Sequence, residues 1–146
     1  MGQPTGRDRL LALVSAGQLA TGVAGMVVGL RRRRPYDVLW MHGTEDAIGR
    51  DVLFKGTALS APVSMLVTQA AMTAAVARRP SRHASQALGG LGATLVAGYL
   101  GERLVRQRLR PSGWDPVESP LLLVAIGLAV AMAALGRRAT RGTATT

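Results

Sequence analysis

Four stretches without a charged residue, 10–30, 56–77, 84–101 and 119–136, divide this 146-residue chain. Each is close to the ~20 residues that an α-helix needs to cross a hydrocarbon layer ~30 Å thick. Lipid offers no hydrogen-bond partner to a backbone amide, so a crossing segment must satisfy its own polar groups, and one that is not part of a closed barrel must be helical. The reading is an all-α integral membrane protein: a four-helix transmembrane up-down bundle, residues 1–146 forming one domain, with both termini on one side. The first stretch runs into Arg31, Arg32, Arg33 and Arg34 rather than a small-residue cleavage site, so it is expected to persist as a span and not as a cleaved signal.

Composition narrows the function classes. The chain has no cysteine, which removes disulfide exchange, thiol catalysis and thiolate metal sites. A net charge of +10 suits nucleic acid at first sight. The arginines, however, bracket the apolar stretches, and the few aromatic residues do not alternate with them as stacking platforms would. Anionic lipid headgroups are the better partner, and no nucleic-acid partner is expected. Seventeen arginines against one lysine match a GC-rich bacterial genome, giving a multi-pass bacterial cell-membrane protein as the expected location.

Small residues recur at helical spacing. The first span has Gly17, Thr21, Gly25 and Gly29; the third has Gly89, Ala93, Ala97 and Gly101 beside Gly90, Thr94 and Gly98; the fourth has Ala125, Ala129 and Ala133. Such stripes let helix backbones approach within lipid, either inside the bundle or, as the alternative, against a second copy or a membrane complex. In the second span, Pro62 is expected to kink the helix, with Ser60 and Ser64 near the freed carbonyls. Gln18 and Gln69, near mid-span, are expected to hydrogen-bond to each other across the first two helices.

The two ends of such a bundle differ in chemistry. The end with the termini and the 78–83 turn carries eight arginines and Asp8. The other end gathers all five aromatic residues, seven of the eight carboxylates and ten of the basic residues. That balance of Lys and Arg leaves orientation weakly set, and the Arg31–Arg34 run favours the aromatic end in the cytoplasm. Functional groups sit on connections held by a rigid scaffold, so a site is expected at the aromatic end. Within 36–51, Thr44 reads as a helix N-cap followed by Glu45 and Asp46 in the first turn, a structural role for both acids. His42 has no such role, and a neutral imidazole near a carboxylate is a general acid or base at neutral pH. Glu102, next to the third span, is costly at an interface unless paired, and its plainer role is an ion pair with Lys55, Arg103 or Arg106. Asp115 or Ser119 reads as the cap of the fourth span and Glu118 as a carboxylate complementing its dipole.

The candidate catalytic set is therefore His42, Glu102 and Asp46, and the candidate pocket walls are Trp40, Tyr99 and Trp114. One histidine per membrane face gives no metal site, and no cofactor is implied. Pro116-Val117-Glu118 is similar, at those positions only, to the acid-after-proline helix start of the two-subunit carotenoid cyclases, without their paired acid and following aromatic. The four-span layout resembles that of the small multidrug exporters, whose span-one glutamate has the uncharged Gln18 in its place. The expected function is a small membrane enzyme or accessory subunit acting on a lipophilic small molecule by proton transfer, of isomerase or cyclase type. The alternatives are a non-catalytic scaffold or complex subunit, or a small oligomeric transporter.

Overall fold

A computed structural model describes residues 5–34, 37–38, 41–42, 57–79 and 81–141, with the backbone alone at 38, 41–42 and 138–141. The fold is helical. Five α-helices occur among the described residues: α1 (Gly6–Arg31), α2 (Val63–Arg78), α3 (Arg82–Gly101), α4 (Arg103–Arg108) and α5 (Glu118–Arg141). Two of them, α1 and α5, are long and apolar enough to cross a membrane. Two short strands, β1 (Asp37–Val38) and β2 (Met41–His42), pair antiparallel with Asp37 opposite His42.

The helix ends follow from local chemistry. Thr5 and Asp8 close a reciprocal capping box on α1, the Asp8 amide donating to the Thr5 hydroxyl and the Thr5 amide to the Asp8 carboxylate, which satisfies two otherwise orphaned donors. At the other end Arg33 adopts a left-handed conformation, φ 49°. The Arg34 amide then reaches the Gly29 carbonyl at 2.8 Å and the Arg33 amide the Leu30 carbonyl at 3.2 Å, the Schellman pattern in which glycine is usual. An arginine there costs about 1–2 kcal/mol, and the reversal carries Arg32 and Arg34 back toward the start of α5.

Pro62 is not a kink. It is the residue preceding α2, where its missing N–H leaves no helical bond unmade. The second helix therefore begins at Val63 instead of 56, and residues 57–60 form a buried turn in which Thr57 and Ser60 exchange backbone hydrogen bonds of 3.0 and 3.2 Å. At 16 residues, α2 is about 24 Å long. The glycine stripe of α1 packs on this turn: a Cβ at Gly29 would lie 2.6 Å from the Thr57 hydroxyl, and one at Gly25 would strike the Leu59 carbonyl.

The four long helices form a ring in the order α1, α2, α3, α5. The α3–α5 seam is the most extensive and the α2–α3 seam the least. Glycine makes the first of these possible, because a Cβ on Gly92 would sit 2.7 Å from the Ala129 carbonyl and one on Gly89 would sit 2.9 Å from the Gly136 Cα. The buried face of α3 is thus Ser85, Leu88, Gly89, Gly92 and Leu95. The Ala93, Ala97, Gly90 and Gly98 face looks outward, contrary to the expectation that Ala93 and Ala97 join the packing stripe. On α5, Ala125, Ala129 and Ala133 are buried. Apolar side chains also cover the outside of the ring: Leu13 is 71% exposed, and Val67, Val124 and Val130 are exposed as well.

Candidate functional site

Glu102 occupies a junction of the fold. It ends α3 and precedes α4 in an extended conformation, and it is only 4% exposed. Both carboxylate oxygens accept from the Asp37 amide, at 2.9 and 3.1 Å. No Arg, Lys or His nitrogen among the described residues lies within 4.0 Å of it. The expected ion pair with Arg103 or Arg106 is therefore not formed: Arg106 turns to the Leu100 and Gly101 carbonyls at 2.9 and 2.6 Å, and Arg103 faces Asp37 at 4.0 Å. Burial pushes the Glu102 carboxyl above its ordinary range, against the opposing pull of the Asp37 and Leu104 amides. Burial disfavours the charged form, so this acid keeps its proton to a higher pH than an exposed glutamate does.

Two hollows meet at this residue. One, of about 140 Å³, is walled mainly by Pro62, Met65, Leu95, Gly98 and Tyr99, between the start of α2 and the last two turns of α3. The other, of about 240 Å³, is polar and lined by Arg34, Asp37, Arg103, Leu104 and Gln107. Glu102 borders both.

Within the largely apolar interior lies a small polar cluster. The Gln69 amide donates to the Ser15 carbonyl at 2.9 Å and to its hydroxyl at 3.3 Å, and the Ser15 and Thr73 hydroxyls are 2.7 Å apart. Gln69 thus bonds α1 through Ser15 instead of Gln18. The Tyr99 hydroxyl faces Gln18 without the alignment of a hydrogen bond. Both ends of the Gln18 amide, the Gln69 carbonyl oxygen and the Tyr99 hydroxyl are buried with no hydrogen-bond partner among the described residues.

The second charged cluster at this end is of a different kind. Glu118 is fully buried and accepts from Arg32 at 2.9 Å, Arg108 at 2.6 Å and Arg34 at 3.3 Å. Asp115 caps α5 through the amides of Val117 and Glu118, at 2.9 and 2.7 Å, and meets Arg32 at 2.9 Å. The Glu118 and Val117 amides hold the Asp115 carboxyl down at about 2, with help from Arg32. Ser119 donates to the Arg108 carbonyl at 2.9 Å, which closes the network onto α4.

Of the residues singled out in the sequence, Tyr99 and Glu102 come together at one cavity. His42 is brought near through its backbone, since β2 pairs it with Asp37, whose amide holds Glu102; its side chain, like Trp40 and Asp46, lies outside the described residues, as do Thr44, Glu45 and the Asp51–Lys55 pair. Trp114 is 55% exposed and borders neither hollow. Among the described residues no group of three His, Asp or Glu side chains is arranged to hold a metal ion. No family model, curated protein or solved structure matches this chain. The residues that sequence reading passes over are Arg32, Arg34 and Arg108 as partners of Glu118, and Met65 and Leu95 as cavity walls. The arginine run at the end of α1 and the lone acid opening α5 are the available signal for the first group.

Proposed function

We propose that this chain is a four-span, up-down membrane protein, an enzyme or enzyme subunit, in which Glu102 transfers protons on a lipid-soluble substrate held beside Tyr99. The observation that carries the reading is a carboxyl that is buried, raised in pKa by that burial, without a salt-bridge partner among the described residues and bordering a largely apolar cavity. Membrane embedding is supported by apolar residues on the outside of α1, α2 and α5, which in water would form an unusually large exposed patch. A neutral carboxyl that protonates an alkene or carbonyl, and as carboxylate recovers a proton from a neighbouring carbon, completes an isomerisation or cyclisation without redox change. General acid–base catalysis of this kind contributes about 10²–10⁴-fold.

A mixture of lipids suffices to test this. Purified protein is incubated in D₂O with a total bacterial lipid extract, and lipids that gain deuterium are sought by mass spectrometry. Wild type should label a discrete lipid, and Glu102→Gln should slow that labelling at least about 10²-fold. Equal labelling by both proteins would refute the role of Glu102. A second reading, a complex subunit, is favoured by the outward face of α3, where a Cβ at Gly90 or Gly98 meets nothing within 4 Å. It requires Gly90→Leu to dissociate a complex that Glu102→Gln leaves intact.

A further inference from the structure

We infer that the hollow between α2 and α3 is a side port that admits the hydrocarbon chain of a single-tailed lipid and places its small, uncharged, hydrogen-bonding head at Glu102. This rests on the proposed site at Glu102 but not on any chemistry performed there.

The weakest seam of the ring is the one that carries the cavity. On its α3 side the lining includes Thr94 and Gly98, both exposed on the flank of the bundle. The cavity therefore opens sideways, at Thr94 and Gly98, into the region where lipid chains would lie. The low wall at Gly98 is what keeps it open, since among the described residues nothing beyond its own stretch of helix comes within 4 Å of the position a Cβ would take. The opening leads inward past Leu95 and Met65 to Tyr99 and Glu102.

The polar hollow beyond Glu102 provides room for a head group continuous with that tail. Its charges are already matched: Arg34 is 3.3 Å from Glu118, and Arg103 is 4.0 Å from Asp37. An anionic head would compete with Glu118 for Arg34 and with Asp37 for Arg103, and a cationic one would meet both arginines. A hydroxyl or carbonyl needs only to exchange a hydrogen bond with the Glu102 carboxyl. A molecule that is apolar along its length and polar at one end thus matches both hollows at once, as ligand sites with a few convergent polar groups generally require.

The experiment uses the full chain in lipid nanodiscs and a long-chain primary alcohol carrying a mid-chain diazirine as photoprobe. After irradiation, labelled peptides are identified by mass spectrometry. Saturable labelling of 57–65 and 94–102, displaced by the unlabelled alcohol, supports the port. Gly98→Leu and Thr94→Leu should each lower it roughly tenfold, about 1.4 kcal/mol of binding. Gly90→Leu, two turns away on the same exposed face and outside the cavity, should leave it within about twofold. Labelling spread over the outer faces of α1 and α5, or unaffected by both cavity-filling variants, overturns the inference. So does preferential labelling by the matching long-chain phosphate ester, or equal loss in the Gly90 and Gly98 variants together with loss of a cross-linked dimer, which would assign the face to a second copy. A wild-type port that labels normally while no lipid gains deuterium would remove only the proposed chemistry.

Discussion

Glu102 and Glu118 are both glutamates at one end of the same bundle, both buried, both beside helix termini, yet they sit in opposite surroundings. Glu118 is enclosed by three guanidinium groups, while Glu102 has a backbone amide and two hollows. A buried charge is tolerated when its desolvation is offset by partners of the opposite sign. Glu118 meets that condition and ties the end of α1 to α4 and α5. Glu102 has no such partner within 4.0 Å among the described residues, and burial raises its pKa. Burial alone does not separate a structural carboxylate from a chemical one; the character of the partners does.

The contrast can be broken most directly at Glu118. Glu118→Ala leaves three arginines without their shared acceptor and should destabilise the protein by about 3–5 kcal/mol, measured as loss of melting temperature in detergent. A change below about 1 kcal/mol would place Glu118 with exposed surface pairs. The next effect concerns pH. Because the folded protein raises the Glu102 pKa above 4.5, folding takes up a proton at this site, and stability falls as pH rises from the unfolded value through the folded one. Glu102→Gln should flatten that part of the melting-temperature profile above pH 4.5 and leave the acid limb, where Asp115 loses its charge near pH 2, unchanged. An identical profile in the variant would mean that folding leaves the Glu102 pKa at its unfolded value. The smallest effect is expected at Arg103→Ala. Its 4.0 Å approach to Asp37 is exposed, so thermal stability should shift by no more than about 0.5 kcal/mol.

The helical character and the positions of α1, α3 and α5 are legible in the sequence because uncharged length is a one-dimensional property. Expected limits of 10–30, 84–101 and 119–136 compare with Gly6–Arg31, Arg82–Gly101 and Glu118–Arg141, the extra turns coming from capped, charged ends such as Thr5–Asp8. The start of α2 is not legible, because composition does not distinguish a buried turn from a helix: 57–60 is as uncharged as the helix it precedes, and Pro62 reads as an interruption when it is a beginning. Glu102 and Tyr99 can be picked out because an acid and an aromatic adjoining an apolar run stand out locally. The clamp on Glu118 cannot, since Arg32 and Arg34 are more than 80 residues away in sequence and no pattern links them. Likewise, spacing identifies small residues on α3, but only packing reveals which of its faces meets α5.

The Arg32–Glu118 bond has a temporal consequence. It joins residues 86 positions apart, so in a chain made from its N-terminus at about 5–20 residues per second, the arginines exist for several seconds before their acceptor does. During that interval solvent must hold them, and the left-handed turn at Arg33 has no neighbouring ion pair to offset its strain. Closure of the ring between its first and last long helices is accordingly a late step, completed only after α5 has been made.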